Sequence, residues 1–205
     1  MSILSYRELI KPFVDRMMAV ILIAITFPVW LLIVFIQFLL FGKQIFFFQE
    51  RPGYLSKPFV LIKFRTMKGN YQTGADTSTD AQRLTTFGKF LRKASLDELP
   101  QLLNILRGQM SLVGPRPLLM EYLDIYSPTQ NRRHEVKPGI TGWAQVNGRN
   151  AITWRDKLAL DVWYVDHQSF FLDLKILFLT LIKVVSAQGI NAPGSATTDK
   201  FNGNN

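Results

Sequence analysis

The sequence predicts an α+β protein that is mostly helical and that has one helix in a membrane. Three observations support this prediction: an uncharged apolar run near the start of the chain, two short β-prone runs around a turn motif, and five later segments with helical periodicity. At 205 residues, the chain is long enough for one ordinary domain with its own core.

The composition excludes several classes of protein. Hydrophobic residues make up 48% of the chain, with 16 Phe and 4 Trp, so the protein is not disordered as a whole. The absence of cysteine excludes disulfides, thiolate metal sites and a cysteine nucleophile. A net charge of +9 attracts polyanions, and it does not by itself distinguish nucleic acid, anionic lipid and phosphorylated substrates.

The segment Met17–Ile36 is the membrane helix. Its twenty residues carry no charge, which is the length that crosses a hydrocarbon core, and no small-residue cleavage site follows it. Pro28 lies near the middle and is expected to bend the axis. Basic residues flank both ends, and a spanning helix would leave one group outside. We therefore predict a re-entrant helix that enters and leaves on the cytoplasmic side, with a plain span kinked by proline as the alternative.

A second apolar stretch, Ser169–Gly189, is interrupted by Asp173, Lys175 and Lys183. It is expected to be a helix that lies partly in the core and partly at the membrane interface, with plain burial as the alternative. The predicted organisation is therefore residues 1–42 as re-entrant helix and interface anchor, and residues 43–205 as a domain on the cytoplasmic face. Both parts form one folding unit.

The remaining elements are predicted from local patterns. The runs Gln44–Gln49 and Pro58–Phe64 flank Arg51-Pro52-Gly53 and predict a β-hairpin. A polar surface loop is expected over Lys68–Gln82, and a folded loop over His134–Ile152. Helices are predicted at Thr86–Lys93, Asp97–Arg107, Pro117–Tyr126, Thr153–Val165 and Ser169–Ala187.

Two adjacent acids, Asp97 and Glu98, lie at the start of one predicted helix. Ser95 and Glu98 match a capping box, whereas Pro100 fits better if Asp97 is the N-cap. In both arrangements the carboxylates lie at the positive end of the helix dipole, which favours their ionised form. Helix capping alone would explain the pair.

The basic residues around this pair indicate a chemical role. Arg116 stands between two prolines, and such a stiff turn presents a guanidinium fork to phosphate oxygens. Arg92 lies five residues before Asp97, and Lys63 lies in the hairpin. Cations around two acids on a membrane-bound domain indicate a phosphorylated substrate. The acids could then hold Mg²⁺, or one of them could attack phosphorus.

Four sequence blocks together resemble one protein family. They are "QERPG", "KFRTM", "LRKASLDELPQLLNILRGQMSLVGPRP" and "KPGITGWAQVNGRNAITW". They resemble the bacterial sugar transferase family, the monotopic phosphoglycosyl transferases, and the resemblance extends from the apolar N-terminus to the end of the chain. The short length and the "ATTDKFNG" tail are similar to the smallest members, which begin bacterial protein glycosylation by transferring phospho-diacetylbacillosamine to undecaprenyl phosphate.

The resemblance implies a reaction and a location. A phospho-sugar would pass from a UDP-sugar, UDP-N,N'-diacetylbacillosamine or another N-acetylated sugar, to undecaprenyl phosphate at the bacterial inner membrane, with release of UMP. Asp97 would be the nucleophile and form an aspartyl-phosphosugar. Glu98 would hold Mg²⁺ with Asp97 or orient the site, and Arg92, Arg116 and Lys63 would bind phosphate. The implied partners are the UDP-sugar, undecaprenyl phosphate and membrane lipids, and a homodimer is left open.

Other candidates and alternatives stay open at this point. Gln145, Asn147 and Arg149 are predicted contacts to the nucleotide or diphosphate, with packing inside a folded loop as the alternative. One rival mechanism has the lipid phosphate attack the donor directly while the acidic pair only binds metal. A rival class is a membrane-tethered binding protein that recruits nucleic acid or acidic lipid. No aromatic–basic recognition module is visible, so a nucleic-acid partner is not expected.

Overall fold

The computed structural model describes residues 6–69, 83–148, 152–185 and 200–203. A single π-helical turn, Tyr6–Ile10, leads into a helix of 31 residues, which we call α1. The described helices are α1 (Lys11–Phe41), α2 (Thr86–Lys93), α3 (Gln101–Leu106), α4 (Pro128–Asn131), α5 (Trp143–Asn147), α6 (Trp154–His167) and α7 (Phe170–Val185).

Four described strands form two small sheets. Strands β1 (Phe46–Pro52) and β2 (Pro58–Phe64) pair antiparallel, from Phe46 opposite Phe64 to Pro52 opposite Pro58. Strands β3 (Ser111–Val113) and β4 (Gly139–Thr141) pair in parallel. The predicted hairpin is confirmed, but its turn was placed too early, because Arg51 and Pro52 both belong to the ladder and the chain reverses over residues 53–57.

The helix predictions had mixed outcomes. Thr86–Lys93 is confirmed as predicted, and α6 and α7 agree with their predictions to within a few residues. The prediction over Asp97–Arg107 was wrong at its start, where the chain forms a separate 3₁₀ turn before α3. The prediction over Pro117–Tyr126 was also wrong. Leu119 is extended there, so only a 3₁₀ turn forms at residues 120–122.

Helix α1 lies along the domain and contacts it near both of its ends. Its buried residues are Lys11, Asp15, Ala19, Ile33 and Gln37. Ala19 belongs to the main core, while Ile33 packs in a second cluster against β2 and α2. Near the C-terminal end, Gln37 Nε2 donates to the backbone carbonyl of Arg65 at 2.6 Å. At 1.5 Å per residue, these contacts extend over about 40 Å of one helix.

Much of the remaining α1 surface is apolar and exposed, for example at Phe13, Ile25 and Leu39. By length and composition this helix could cross a membrane. The helix continues through Pro28. Thr26 Oγ1 donates to the carbonyl of Leu22, one turn before Thr26, at 2.6 Å. Proline and threonine back-bonding are both causes of helix bending. The bend and the re-entrant path remain predictions.

The main core packs α3 against α1 and β2, and it also includes side chains of β3, α6 and α7. Its buried side chains include Leu61, Leu102, Ile105, Tyr164 and Ile176. A polar side chain adds direction to this packing. Asn104 is fully buried, and it accepts from the Ile62 N–H at 3.2 Å and donates to the Val60 carbonyl at 2.8 Å. Helix α3 is therefore locked to strand β2 at a defined register.

Candidate active site

The acidic pair lies on the 3₁₀ turn Leu96–Glu98, immediately before α3. Ser95 begins this turn in the left-handed region at φ 56°, and its side chain makes no capping hydrogen bond. Helix α3 itself begins at Gln101, after Pro100. Both predicted capping arrangements are therefore wrong, because neither acid caps α3. The backbone strain of a non-glycine residue at positive φ accompanies the pair, as it does at many functional sites.

Glu98 is held by two cations. Its Oε1 accepts from Lys63 Nζ at 2.7 Å and from Arg116 Nη2 at 2.6 Å, and Arg116 Nη1 lies 3.4 Å from Oε2. Burial disfavours the ionised form of Glu98, but Arg116 and Lys63 outweigh burial and keep its pKa below the usual range. The charge of Glu98 in turn raises the pKa of Arg116. Glu98 is therefore a fixed anion that organises two cations.

Asp97 is in the opposite situation. Its side chain belongs to a residue that is only 8% exposed, and within the described ranges no donor makes a hydrogen bond to its carboxylate. Burial raises the pKa of Asp97, and the charge of Glu98 raises it further, while Lys63, Arg92 and Arg116 act in the opposite direction. The result is a poorly solvated carboxylate without a hydrogen-bonding partner, close to three positive charges.

Arg92 reaches this region because α2 packs tightly on the end of β2. A Cβ atom at Gly88 would lie 2.2 Å from the Thr66 carbonyl oxygen, so only glycine permits this approach. One turn later, Arg92 Nε donates to Thr66 Oγ1 at 3.1 Å. Thr66 is thus a site residue that was not singled out from the sequence, although it lies within the "KFRTM" block.

Arg116 is placed by the parallel pair of short strands. Beyond β3, Gly114 N–H donates to the Thr141 carbonyl at 2.9 Å, and Gly139 N–H donates to the Pro115 carbonyl at 3.0 Å. A Cβ atom at Gly114 would lie 2.3 Å from the Lys137 carbonyl oxygen, which explains glycine at this close approach. The two glycine-containing segments, far apart in sequence, therefore pack together and fix the Pro-Arg-Pro turn.

The structure brings together five of the predicted site residues. Lys63, Arg92, Asp97, Glu98 and Arg116 form one cluster, which we call the acid–cation cluster. The remaining candidates are on or after α5. The Gln145 amide is shielded without a hydrogen-bond partner in the described structure, and Asn147 Nδ2 donates to the Trp143 carbonyl at 2.8 Å. Arg149 lies outside the described residues.

The acid–cation cluster also fits a divalent metal bound together with substrate. The described ranges contain no group of three or more carboxylate, histidine or cysteine side chains that would hold a metal alone. Mg²⁺ commonly binds one or two carboxylates and completes its shell with water and substrate phosphates. Asp97, whose carboxylate accepts no hydrogen bond from any residue that the structure describes, is a suitable ligand of this kind.

The fold and this cluster define a class of protein: an α+β domain with a long apolar N-terminal helix and a buried carboxylate close to several cations. Comparison with known proteins gives the family. A family model described as bacterial sugar transferase matches residues 6–187, and the chain belongs to this family. The family predicted from the four sequence blocks is confirmed.

Three relatives illustrate the similarity. The chain is 52% identical over 195 residues to EpsL, an uncharacterized sugar transferase of Bacillus subtilis, which covers 95% of this chain and 96% of EpsL. It is 37% identical over 192 residues to the UDP-glucose:undecaprenyl-phosphate glucose-1-phosphate transferase of Xanthomonas campestris, covering 88% of this chain and 40% of that enzyme. It is 42% identical over 162 residues to the galactosyl transferase CpsE of Streptococcus agalactiae, covering 72% of this chain and 36% of CpsE.

The chain thus corresponds to nearly all of EpsL and to less than half of the two other relatives. The names of the Xanthomonas and Streptococcus proteins refer to glucose and galactose. These names do not support the specific resemblance to bacillosamine transferases.

Proposed function

We propose that this protein transfers a sugar 1-phosphate from a UDP-sugar to undecaprenyl phosphate, by way of a covalent intermediate on Asp97. The observation that carries the proposal is the state of Asp97: a buried carboxylate that accepts no hydrogen bond in the described structure, beside Lys63, Arg92 and Arg116. The names of relatives in Xanthomonas campestris and Escherichia coli support a sugar nucleotide as donor and undecaprenyl phosphate as acceptor.

The reaction would proceed in two displacements at the same phosphorus. An oxygen of Asp97 attacks the sugar-bearing β-phosphorus, and the bond from this phosphorus to the oxygen bridging the two phosphates breaks, so that UMP leaves. The product is an aspartyl-phosphosugar, in which the carboxylate oxygen is bonded to phosphorus. A phosphate oxygen of undecaprenyl phosphate then attacks the same phosphorus. The bond to Asp97 breaks, which regenerates the carboxylate and yields undecaprenyl diphosphate sugar.

The two acids would have different roles because their surroundings differ. Asp97 can attack because its oxygens accept no hydrogen bond within the described structure and because burial weakens their solvation. The donor carries negative oxygens that would repel this carboxylate unless they are neutralised. Arg116 can supply a cation, since its side chain is 44% exposed while Glu98 fixes its direction. Lys63 and Arg92 add positive charge on the same side.

Asp97 and Glu98 are the carboxylates that would hold Mg²⁺ when the donor is bound. When bound, the ion would neutralise phosphate oxygens and favour departure of UMP. Glu98 already accepts hydrogen bonds from two cations, so its first contribution would be to hold Lys63 and Arg116 in place.

The contacts between α1 and the rest of the domain support a re-entrant α1 and a site at the level of the lipid phosphates. A spanning helix would separate its two ends by the bilayer, yet residues near both ends of α1 contact the same domain. Helix α7 adds an apolar face that is exposed, formed by Phe171, Leu174, Phe178 and Leu181. Basic residues on both sides of α1 support a location of the domain at the cytoplasmic face of the inner membrane.

The experiment that tests this function is a release assay. Purified protein in lipid nanodiscs is mixed with undecaprenyl phosphate, Mg²⁺ and single UDP-sugars, and UMP is measured. The donors include UDP-N,N'-diacetylbacillosamine and UDP-N-acetylglucosamine, as the resemblance implies, and UDP-glucose and UDP-galactose, as the relatives' names indicate. We expect UMP and lipid-linked product with at least one donor. Absence of both with every donor would contradict the proposed function.

Two variants complete this assay. Asp97→Asn should release no UMP, whereas Asp124→Asn should behave as the parent, because Asp124 is an exposed acid outside the cluster. The rival of direct attack by the lipid is distinguished by kinetics, since it requires both substrates to be bound together, whereas a covalent intermediate gives a ping-pong pattern.

A further inference from the structure

Arg133 is a charged side chain that the acid–cation cluster does not include, yet it is only 2% exposed. It lies on the 3₁₀ turn Arg132–Glu135. Its Nε and Nη2 donate to Asp161 Oδ2 at 3.1 and 2.7 Å. The same Nη2 donates to the backbone carbonyl of Arg116 at 2.7 Å, and Nη1 lies 3.4 Å from the Tyr126 hydroxyl. One guanidinium thus joins Asp161 of α6 to the turn that carries Arg116.

Stability alone does not account for this buried pair. Removing two charges from water costs several kcal/mol each in general, and apolar side chains of similar volume often replace a buried ion pair without loss of stability. An apolar pair would not, however, supply a donor to the Arg116 carbonyl. A lysine that paired with Asp161 would not supply this donor either. Only the planar guanidinium fork presents several donors in fixed directions.

The Pro-Arg-Pro turn requires donors from outside because it has few of its own. Pro115 and Pro117 have no backbone N–H, so the turn cannot close its own hydrogen bonds at these positions. Its carbonyls are held by other segments instead. Gly139 N–H binds the Pro115 carbonyl, and Arg133 binds the Arg116 carbonyl. The direction in which the Arg116 side chain leaves the backbone therefore depends on Arg133.

We propose that Arg133 is a positioning residue, which orients the Arg116 peptide so that the Arg116 guanidinium faces both Glu98 and the diphosphate of the donor. Asp161 serves as the counter-ion that fixes the guanidinium. This inference rests on the proposed function, in which Arg116 binds phosphate oxygens. The adjacent Arg132 provides a matched control, since its side chain is 40% exposed and pairs with Glu135 and Asp166 on the surface.

The test is a double-mutant cycle in the UMP-release assay with UDP-sugar as the varied substrate. Arg133→Lys should lower kcat/KM by about tenfold, the effect of one lost charged hydrogen bond, mainly through KM. In an Arg116→Ala background the same substitution should change kcat/KM by less than about twofold, because the group on which Arg133 acts is gone. Arg132→Lys should change neither. Equal losses from Arg133→Lys with and without Arg116 would overturn the proposal.

A second variant separates positioning from folding. The double substitution Arg133→Met with Asp161→Leu replaces the buried pair by apolar side chains and should keep the melting temperature at or above that of the parent. Its kcat/KM should still fall by about tenfold. A folded double variant with parental kcat/KM would overturn the proposal, and so would failure of both Arg133 variants to fold. A parent protein that releases no UMP would instead contradict the proposed function.

Discussion

Asp97 and Glu98 are consecutive residues with opposite electrostatic surroundings. The Glu98 carboxylate accepts hydrogen bonds from Lys63 Nζ and Arg116 Nη2 at 2.7 and 2.6 Å. The Asp97 carboxylate accepts none within the described structure, although the residue is 8% exposed. The pKa of Glu98 is consequently lowered and that of Asp97 is raised. This contrast is the basis for the proposed binding role of Glu98 and the proposed reactive role of Asp97.

The two acids should affect stability in opposite directions at neutral pH. Glu98→Gln leaves Lys63 and Arg116 without their anion and should lower the free energy of unfolding by about 2 kcal/mol, a value reduced for the partial exposure of Arg116. Asp97→Asn should leave it unchanged or raise it, because a carboxyl group whose pKa is raised on folding disfavours the folded state once it ionises. Melting temperatures of both variants in detergent, with Asp124→Asn as control, check this prediction.

The size of the Asp97 effect depends on pH. Below the ordinary aspartate value of 3.8, Asp97 is protonated both folded and unfolded, so it has no linkage effect there. As the pH rises through 3.8 and then through the raised folded pKa, the cost of ionisation develops. If Asp97 were a helix cap, Asp97→Ala would cost about 1 kcal/mol, whereas Asp97→Asn would cost little, because asparagine is as good an N-cap as aspartate. A clear fall in the melting temperature of Asp97→Asn at pH 7 would contradict our description of the site.

The rate of the first half-reaction should show an acidic limb set by Asp97. Only the ionised carboxylate attacks phosphorus, so the rate should fall as the pH is lowered through the raised pKa of Asp97. The measurement is UMP formed in a single turnover without lipid acceptor, because a phosphate monoester titrates near pH 6 and would obscure the result. Full recovery after return to neutral pH excludes denaturation. A rate that is constant down to pH 4 would count against a raised pKa at the nucleophile.

Both ends of α1 should be accessible from the same side of the membrane. The chain has no cysteine, so single substitutions give unambiguous labelling. Ser2→Cys and Lys43→Cys, on the two sides of α1, and Ser56→Cys in the hairpin should all react with an impermeant maleimide in inverted membrane vesicles. None should react in intact spheroplasts. Labelling of Ser2→Cys from the opposite side would show a spanning helix and exclude re-entry.

Removal of divalent metal should abolish turnover without unfolding the protein. Treatment with EDTA should stop UMP release, and Mg²⁺ should restore it. The chelator should remove the ion readily, because the described structure contains no cluster of ligands able to hold the ion without substrate. The melting temperature of the protein without substrate should not change on chelation. Undiminished UMP release in excess EDTA would show that the acid–cation cluster works without a divalent ion.

The sequence predicted the members of the site better than their arrangement. Cations near an acidic pair were sufficient to single out Lys63, Arg92 and Arg116, since phosphate chemistry requires such residue types. The capping interpretation of Asp97 and Glu98 was wrong because Ser95 adopts a left-handed conformation, which the residue type does not indicate. Local propensity does not predict the conformation of this turn. The turn lies next to α3, whose packing against β2 is a tertiary contact that involves Asn104.

Contacts between residues far apart in the chain were also not predicted from the sequence. Strands β3 and β4 have three residues each and pair across more than twenty residues, so neither gives a periodic signal. Arg133 lies in a basic "NRRHEV" stretch that resembles solvated surface. Only the structure distinguishes it from the exposed Arg132, because Arg133 is buried and contacts Asp161 and the Arg116 carbonyl. A weak indication that Asn104 makes buried hydrogen bonds was present in the sequence, because it is a polar residue within the apolar run of α3.

The most direct measurement of the central claim is the mass of the intact protein after mixing with UDP-sugar and Mg²⁺ in the absence of lipid acceptor. We expect wild-type protein to gain the mass of one phosphosugar, and peptide mapping to locate it on Asp97. Addition of undecaprenyl phosphate should return the protein to its original mass, and Asp97→Asn should show no gain. If the wild-type protein gains no mass while it releases UMP only with acceptor present, or if Asp97→Asn turns over at the parental rate, Asp97 is not the nucleophile.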